Sequence, residues 1–235
     1  MLKCSLVIPA YNEGKNIIPN LNRILEHLKI SFECLIIVDY EGDPTIDAIT
    51  NSGLINENFR VLINDFGPGP ANAIKFGISK ASAEVVVVTM ADGSDDPRVI
   101  PDLVSLVERG VVIACASRYM AGGQQIGAPF LKGVLSRIAG ISLYYFANVG
   151  TKDATNSFKA YSKKFLDKVS LDSKYGFEMG LELVAKAKRM SLPVAELPTI
   201  WIEQGFRTSN FKLASWVPKY LRWYLYALKI GKGGK

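Results

Sequence analysis

The first half of the chain alternates short runs of β-branched residues with segments of helical spacing, and this alternation limits the fold more than any other feature. Leu6-Val7-Ile8 and Leu35-Ile36-Ile37-Val38 are typical of buried strands. Between them, apolar residues at positions 17, 21, 24, 25 and 28 have the spacing of one helix face. The two strands and the helix predict a βαβ unit.

The cycle then repeats along the chain. Strand-like residues 61–63 precede a helical segment over 71–81, and Val85-Val86-Val87-Val88 follows as a strand apolar enough to be central. A helix over 99–108 and a strand over 111–116 complete the series. The pattern predicts an α/β fold with an open, mostly parallel sheet and helices on both faces, whose ligands bind beyond the carboxyl ends of the strands.

The length of 235 residues suits one domain of this class. The alternation stops at Arg118, after which a Gly-rich stretch leads to helical segments near 134–148 and 176–190 and a strand at 195–202. We therefore expect a single domain over 1–212, with a ligand-binding half over about 1–118 and an elaboration over 119–212. Residues 213–235 form a C-terminal helix and tail.

Composition limits the class of partner. With 49% hydrophobic and 21% charged residues, the chain has enough apolar surface for a sizeable core. A net charge of +6 favours anionic partners. The three cysteines fit no zinc spacing and are expected to be reduced and buried. No secretory signal or transmembrane span is expected, since the uncharged stretch 138–151 is too short to cross a bilayer.

The loops after the strands carry the candidate binding residues. Pro9 to Gly14 follows the first strand, Asp39 the second, and Gly67-Pro68-Gly69-Pro70 the third. The last of these is neither a dinucleotide-binding glycine fingerprint nor a P-loop. Hydride transfer and NTP hydrolysis therefore lose their main sequence support.

The densest acidic cluster follows the fourth strand, in Met90-Ala91-Asp92-Gly93-Ser94-Asp95-Asp96-Pro97. Three carboxylates within five residues repel one another unless a cation or hydrogen-bond donors compensate, and oxygen ligands at this density suit Mg²⁺ or Mn²⁺. An alternative is that Asp95 or Asp96 caps a helix starting near Pro97. Both interpretations remain open for Asp96, whereas Asp92 lies too far from the helix start to cap it.

Several segments, in order along the chain, resemble the family 2 glycosyltransferases. They include Leu6-Val7-Ile8-Pro9-Ala10-Tyr11-Asn12-Glu13, Val38-Asp39, the acidic cluster, and Ala116-Ser117-Arg118-Tyr119. In the C-terminal half, residues 153–161 and 194–198 are similar to the polyprenyl-phosphate sugar synthases, of which the dolichyl-phosphate mannose synthases are the best-known type. The resemblance covers about residues 4–212.

This resemblance implies a GT-A fold and transfer of a sugar from a nucleotide-diphosphate donor with inversion at the anomeric carbon. By their matches to the family motifs, Pro9, Tyr11, Glu13 and Asp39 would hold the nucleoside, and the acidic cluster would hold a Mg²⁺ or Mn²⁺ on the diphosphate. The family's Asp-x-Asp falls here on Ala91 and Gly93, so the metal assignment moves to Asp92 and Asp95.

Two further departures from the family pattern affect the donor site. Tyr40 replaces a second carboxylate after the second strand. The late arginine motif reads Glu203-Gln204-Gly205-Phe206-Arg207-Thr208-Ser209, in which Arg207 is the candidate for the donor phosphates.

Glycosyl transfer needs positive charge on the departing diphosphate, and Arg118 and Arg207 are the candidates to supply it. A hydroxyl acceptor would also need a carboxylate base, for which Asp153 and Glu182 are available. A lipid phosphate needs no base, and cations around it, such as Lys132, Arg137 and Lys212, would be required instead.

The C-terminal helix bears on the acceptor. Trp216, Tyr220 and Trp223 recur at helical spacing, bordered by Lys219, Arg222 and Lys229. Such a helix is typical of the membrane interface, and the segment 138–151 adds Tyr144, Tyr145 and Phe146. The alternative is an aromatic core helix with a basic solvated edge. The membrane interpretation predicts a cytoplasmic enzyme, peripheral on the inner face of the cell membrane, with a polyprenyl-phosphate acceptor.

Three other functions stay open at this point. A nucleotidyltransferase shares sheet-end nucleotide and metal sites, but Pro9 to Gly14 lacks its Gly-rich basic loop. A glycosyltransferase with a soluble or glycan hydroxyl acceptor would use the carboxylate bases. The third is a non-catalytic protein that binds sugar nucleotides or nucleic acid. Binding of nucleic acid would need a basic stripe with stacking aromatics, which occurs only in the C-terminal helix, so nucleic acid is not an expected partner.

Overall fold

The computed structural model describes residues 2–56, 58–204 and 213–229, and only the backbone of 213–216. The predicted α/β fold is confirmed by a seven-stranded sheet in the order β3-β2-β1-β4-β7-β5-β8, accompanied by a two-stranded sheet, β6-β9. The strands are β1 (Cys4–Pro9), β2 (Phe32–Val38), β3 (Phe59–Ile63), β4 (Val85–Val88), β5 (Ile113–Ser117), β6 (Gln124–Ile126), β7 (Lys159–Ser162), β8 (Val194–Pro198) and β9 (Ile200–Ile202).

Helices cover both faces of the large sheet. Residues of α1, α2 and α4 form one apolar core, and residues of α3, α7 and α8 form the other. The helices are α1 (Ile17–His27), α2 (Pro44–Asn51), α3 (Pro70–Lys80), α4 (Ile100–Glu108), α5 (Phe130–Ser142), α6 (Lys163–Leu166), α7 (Met179–Arg189) and α8 (Leu213–Ala227). A π-helical turn, Leu143–Ala147, continues α5.

The central strands are buried on both faces because successive side chains point to opposite sides of the sheet. In β1, Leu6 and Ile8 enter the core under α1, and Val7 enters the core under α3. A Cβ atom at Gly77 would lie 2.4 Å from Val7 Cγ1, so this glycine lets α3 pack closely on β1. The three cysteines are buried and free, as predicted.

The strand β7 was not predicted from the sequence. It is antiparallel to both neighbours, β4 and β5, and it begins with the fully buried Lys159. Because β7 and β8 both come from the second half of the chain, residues after 118 supply two strands of the main sheet as well as an elaboration.

The single strand predicted over 195–202 is wrong. The chain forms β8 up to Pro198 and then β9 from Ile200, which leaves the main sheet and pairs with β6. Pro198 has no N–H to donate to a strand ladder, and the N–H of Thr199 is used on the carbonyl oxygen of Ser117. The loop after β5 and the segment around β9 are thereby held beside each other.

Candidate active site

The carboxyl ends of β1, β2, β4 and β5 lie along one edge of the sheet, and the loops that follow them form a crevice. Because β7 runs in the opposite direction, the segment before it reaches the same edge. Most of the residues predicted for the site therefore come to this edge, namely Pro9, Tyr11, Glu13, Asp39, Asp92, Asp95, Arg118 and Asp153.

The loop after β1 is fixed by the first turn of α2. Asp43 Oδ2 accepts a hydrogen bond from the Asn12 N–H at 2.9 Å. Thr45 Oγ1 lies 3.0 Å from the Glu13 nitrogen and 3.2 Å from the Gly14 nitrogen. Asp43 and Thr45 are both buried, so the loop is held rigidly before any ligand binds. This pair is not among the predicted site residues, although an acidic N-cap before Pro44 is visible in the sequence.

Two tyrosines stand at the mouth of the crevice. Tyr11 is 58% exposed, and its ring lies edge to face with that of Tyr40 at 6.2 Å between centroids. The Tyr40 hydroxyl donates a short hydrogen bond to Asn12 Oδ1. Tyr40, which stands where the family has a carboxylate, thus joins the β1 and β2 loops through a ring contact and a hydrogen bond.

Asp39 shapes the loop after β3. Its Oδ1 accepts from the Asn64 side-chain amide at 2.9 Å, and its Oδ2 accepts from the Gly69 N–H at 2.8 Å. Gly69 has a φ of 110°, which a residue with a side chain rarely adopts. A carboxylate offers about four lone-pair sites, so Asp39 still has acceptor capacity for a ligand hydroxyl.

The acidic loop separates its carboxylates into different environments. Asp92 is exposed, with Oδ1 accepting the Ser94 N–H at 2.9 Å. Asp95 is buried, and its Oδ2 accepts from Thr89 Oγ1 at 2.9 Å and from the Met90 N–H at 3.1 Å. Burial first, and then the Asp92 carboxylate, raise the pKa of Asp95 to about 7.

Asp96 caps the helical turn that follows, as the alternative interpretation predicted. Its Oδ1 accepts the Arg98 N–H at 3.0 Å, and both oxygens pair with the Arg98 guanidinium. Asp96 is therefore part of the local fold, and Asp92 and Asp95 remain as candidate metal ligands.

These two residues fit a cation that completes its coordination with substrate oxygens. Within the described parts of the chain, no three His, Cys, Asp or Glu side chains form a group that could enclose a metal. Mg²⁺ is commonly held by one or two carboxylates together with substrate phosphates. Burial and the Asp92 carboxylate both raise the pKa of Asp95, and a cation bound between the two side chains would favour its ionised form.

The acidic loop is supported from two sides. From α1, the Asn20 side-chain amide donates to the Met90 carbonyl oxygen at 3.0 Å, and Arg23 donates to the Gly93 carbonyl oxygen at 2.8 Å. From the segment after β9, the Gln204 amide lies 3.4 Å from the same Gly93 oxygen. Arg207 lies outside the described residues, but the chain leading to it is thus in contact with the acidic loop.

Arg118 and Asp153 form a buried bidentate ion pair. Arg118 Nε and Nη2 donate to the two oxygens of Asp153 at 2.7 and 2.8 Å, and the Arg118 N–H donates at 2.9 Å. Burial alone raises the pKa of Asp153, but the guanidinium outweighs it and holds this pKa below its usual range. Asp153 is therefore too buried, and its pKa too low, for it to act as a base. Its two contacts with the Arg118 guanidinium instead hold that side chain in position.

Lys159 secures the segment that carries Asp153. It is fully buried, and its ammonium donates to the carbonyl oxygens of Ala154, at 3.2 Å, and Asn156. The Asn156 side chain donates in turn to the Ala116 carbonyl oxygen at 2.8 Å. Burial lowers the pKa of Lys159. Sequence analysis did not single out this lysine.

Two further cations approach the crevice from α5. Burial lowers the pKa of Lys132, whose nearby charges are Glu203, Arg118 and Asp92. Arg137 lies over the Tyr119 ring at 5.8 Å, and Arg118 lies over the same ring at 4.9 Å. The structure thus brings Lys132 and Arg137 to the Arg118 side of the crevice, whereas Lys212 lies outside the described residues.

Glu182 has a different environment from a catalytic base. It is fully buried in α7, where its two oxygens accept the N–H groups of Asp172 and Ser173 at 2.7 and 2.8 Å. Lys186, one turn later, donates to Glu182 Oε1 at 2.7 Å. These contacts make Glu182 the anchor of the segment before α7.

The aromatic stripe of the C-terminal helix packs largely against the protein. Trp223 is 1% exposed and belongs to the core under α7, and Tyr220 is half-buried beside it. The side chain of Trp216 lies outside the described residues. Among the described side chains of α8, the exposed large apolar ones are Val217 and Leu221, whereas Trp223 is in the core, so the core alternative is correct for Trp223.

Among the described residues, six exposed large apolar side chains lie on α5 and the π-helical turn. They are 40–86% exposed, and most recur at helical spacing: Phe130, Leu131, Leu135, Ile138, Tyr145 and Phe146. The Ser142 and Tyr224 hydroxyls, 2.9 Å apart, join α5 to α8. We call these six side chains the α5 apolar stripe. Among the described residues, no helix has both the length and the apolar character needed to cross a bilayer.

Known proteins match this chain along most of its length. The model of glycosyl transferase family 2 matches residues 5–170. Dolichol-phosphate mannosyltransferase of Pyrococcus furiosus is 29% identical over 239 residues, covering 99% of this chain and 65% of that protein. Polyprenol monophosphomannose synthase of Mycolicibacterium smegmatis is 28% identical over 229 residues, covering 90% of this chain and 85% of that protein.

Solved structures match the fold. Glucosyl-3-phosphoglycerate synthase of Mycobacterium tuberculosis, in complex with UDP, superposes with a TM-score of 0.73 at 18% identity, covering 98% of this chain and 82% of that one. The same enzyme in complex with Mn²⁺, UDP and glucosyl-3-phosphoglycerate also gives a TM-score of 0.73, at 17% identity and covering 98% of this chain and 81% of that one. The GT-A type of fold is thereby confirmed.

Proposed function

The chain belongs to glycosyl transferase family 2, and we propose that it moves a sugar from a nucleotide-diphosphate donor to a polyprenyl phosphate at a membrane surface, with inversion at the anomeric carbon. The two relatives, a dolichol-phosphate mannosyltransferase and a polyprenol monophosphomannose synthase, support this substrate class by their names. This chain spans 65% of the length of the Pyrococcus furiosus relative. The activity of that longer protein is therefore a proposal for this chain.

One observation carries the proposal: an exposed carboxylate and several cations meet at the end of one parallel sheet. Asp92 lies close enough to Lys132 to influence its pKa, and Arg118 does the same from β5. A diphosphate with a divalent ion needs this combination, because the carboxylate attracts the ion and the cations attract the phosphate oxygens.

The donor's nucleoside would lie at the β1 and β2 loops. Tyr11 and Tyr40 offer aromatic faces for a base, and Asp39 has acceptor capacity for a ribose hydroxyl. Pro9 ends β1, and Glu13 lies on the loop fixed by Asp43 and Thr45. A nucleoside would therefore meet a preorganised surface.

Asp92 and Asp95 would hold Mg²⁺ or Mn²⁺ beside the diphosphate. When bound, such an ion supplies positive charge that stabilises the departing diphosphate. Compensation by the ion would restore the ionised form of Asp95, whose pKa is raised without it.

In the transfer, an acceptor oxygen forms a bond to the anomeric carbon while the bond to the donor's diphosphate oxygen breaks, and its electron pair leaves with the diphosphate. Arg118 would meet this developing charge without reorganising, because Asp153 already fixes its guanidinium plane. We propose the same task for Arg207, since the chain before it contacts the acidic loop.

A phosphate acceptor suits the state of the carboxylates in this site. Asp153 is ion-paired and Glu182 is fully hydrogen-bonded in α7, so neither presents a free base. A phosphate monoester is already ionised at neutral pH, because its second pKa is about 6, and it attacks without deprotonation. Lys132 and Arg137 would hold it, with Lys212 as a third candidate.

The α5 apolar stripe would place the enzyme on the membrane. It starts beside Lys132 and carries exposed aromatic and aliphatic side chains, which are typical of peripheral interfacial helices. The lipid phosphate would then enter the crevice from the surface on which the stripe rests. We accordingly propose a cytoplasmic enzyme, peripheral on the inner face of the cell membrane.

The test is to incubate the protein and an Asp92→Asn variant with radiolabelled sugar nucleotides, native lipid extract and Mn²⁺, and then to partition the products into an organic phase. We expect label in the organic phase with the wild-type protein alone. Label confined to the aqueous phase would show a soluble or hydroxyl acceptor. No transfer from any sugar nucleotide would contradict the proposed reaction.

A further inference from the structure

A groove of about 700 Å³ lies where three helical segments end, away from the proposed active site. Asn148 follows the π-helical turn, Ser191 follows α7 and Lys229 follows α8, and all three line the groove. Each has a positive φ, between 52° and 63°, so the chain turns sharply at each end and leaves the space between the segments open.

The groove is basic. Lys188, Arg189 and Lys229 line it, and none of the described residues in its lining is acidic. Arg189 and Lys229 are exposed, and Arg189 is stacked over the Tyr226 ring at 5.0 Å, which limits the conformations of its side chain. Cations gathered without carboxylates attract an anion, and a partly ordered arginine loses less entropy when it binds one.

The rim of the groove is aromatic. Phe146 lines it and is 79% exposed, and the preceding Tyr145 is 70% exposed. Both belong to the α5 apolar stripe, which runs from the crevice beside Lys132 to the groove. The 13 residues of α5 and the 5 of the π-helical turn span roughly 25 Å at helical rise. The groove and the crevice are therefore separate sites at opposite ends of one apolar surface.

We propose that this groove binds the headgroup of an anionic phospholipid in the bilayer on which the α5 apolar stripe rests. The phosphodiester would lie among Lys188, Arg189 and Lys229, while Phe146 enters the interface beside the acyl chains. The inference rests on the membrane contact of the proposed function, but on neither the sugar nor the acceptor. A lipid bound in this groove would orient the enzyme so that the crevice, at the other end of the α5 apolar stripe, faces the bilayer.

The cations of the groove and the exposed apolar side chains at its rim together favour an anionic bilayer over soluble anionic ligands. A soluble phosphate compound would use the three cations but would leave Phe146 and Tyr145 exposed to water. A single-stranded nucleic acid would need a basic track with several stacking rings, whereas the described lining of this groove has one aromatic side chain, Phe146.

The test compares binding of the full chain to sedimented vesicles of phosphatidylcholine with binding to vesicles that also contain phosphatidylglycerol. A Lys188→Gln/Arg189→Gln/Lys229→Gln variant is expected to lose roughly a hundredfold in affinity for the anionic vesicles, about fivefold for each charge. Its affinity for phosphatidylcholine vesicles should stay the same. A Phe146→Ser variant should bind both kinds of vesicle more weakly.

A matched control is Lys29→Gln/Lys80→Gln/Arg109→Gln. It removes the same charges from exposed positions at the ends of α1, α3 and α4, so it reports the effect of net charge alone. Unchanged circular dichroism and melting temperature would show that each variant folds.

The outcomes separate the two proposals. Equal losses in the groove and control variants would overturn the groove as a headgroup site and leave the membrane contact standing. A wild-type protein that binds neither vesicle would overturn both. Inorganic phosphate or an oligonucleotide that binds the groove as tightly as the anionic vesicles would show that the anion does not come from a bilayer.

Discussion

Asp95 and Asp153 are both buried aspartates at the same edge of the sheet, yet their pKa values shift in opposite directions. Burial opposes ionisation at both positions. At Asp153 a bidentate arginine more than compensates, and the pKa falls. At Asp95 burial is the main cause and the Asp92 carboxylate adds to it; the hydrogen bonds from Thr89 and Met90 do not compensate, and the pKa rises to about 7.

The difference shows which side of the crevice is electrostatically complete. On the β5 side, the negative charge of Asp153 is already matched within the protein, so Arg118 is fixed and ready to face a ligand. On the β4 side, no arginine or lysine of the described residues forms an ion pair with Asp92 or Asp95, and a cation that arrives with the substrate would supply the positive charge. The following predictions test this contrast.

The largest effect is expected at Arg118 and Asp153, whose charges are matched within the protein. Arg118→Met leaves the buried charge of Asp153 unpaired and should lower the free energy of unfolding by about 3–5 kcal/mol in urea titrations. An Arg118→Met/Asp153→Leu double variant should recover much of that stability without recovering transferase activity, because the cation on the diphosphate is still missing. Arg98→Met removes an exposed guanidinium from Asp96 and leaves the backbone hydrogen bond to that carboxylate, so it is the control and should change stability little. Equal stability losses at 98 and 118 would contradict the contrast.

At the Asp92–Asp95 pair, Asp92→Asn should lower Mn²⁺-dependent turnover by about a hundredfold or more while leaving the fold intact. The matched variant Asp96→Asn keeps a side chain that can cap the helical turn and removes only the charge paired with Arg98, so turnover should change little. Calorimetric titration of a sugar nucleotide with and without Mn²⁺ provides the measurement. Metal-linked binding that survives in Asp92→Asn would remove this residue from the metal site.

A third prediction concerns pH. When the pKa of a carboxyl is higher in the folded than in the unfolded protein, the folded state holds its proton more tightly. The free energy of unfolding is then highest below the unfolded pKa and falls as the pH rises from the unfolded to the folded pKa. Asp95 should therefore lower the free energy of unfolding of the metal-free protein progressively between about pH 4 and pH 7, by roughly 4 kcal/mol in total. Asp95→Asn should become more stable than the wild type over the same window in thermal unfolding. A stability difference that does not vary with pH would show that Asp95 is compensated after all.

The smallest effect is expected at Lys132, which lies between the two sides. Lys132→Gln should raise the KM for a phosphate acceptor by about tenfold and leave kcat nearly unchanged, since it removes binding charge rather than charge on the leaving group. Lys15→Gln, an exposed lysine on the α1 side, is a suitable control. A change confined to kcat would move Lys132 from the acceptor to the departing diphosphate.

The sequence predicts the frame of this site well. Alternating strands and helices predict a parallel sheet, and because such strands share a carboxyl edge, Asp39, Asp92 and Arg118 were expected together. Proline after Asp96 likewise indicates a helix start, which the structure confirms. These features are local in sequence, so their physical causes can be read along the chain.

Features that depend on distant contacts were not predictable in this way. The pairing of Arg118 with Asp153 joins residues 35 positions apart, and Lys159 at the start of β7 looks like a surface lysine in the sequence although it is fully buried. The burial of Trp223 depends on where α8 packs, and helical spacing alone does not distinguish a core face from a membrane face.

The position of β7 has a consequence for how the protein is made. In the main sheet, β5 pairs only with β7 and β8, so it has no partner strand until residues after 158 have left the ribosome. During that interval β4 and β5 each expose an unpaired edge, which is a template for wrong pairing. A chain released near residue 118 should therefore aggregate and should not form a stable folded half. In the full chain, the pairing of β7 with β4 and β5 joins residues distant in sequence and should limit the folding rate.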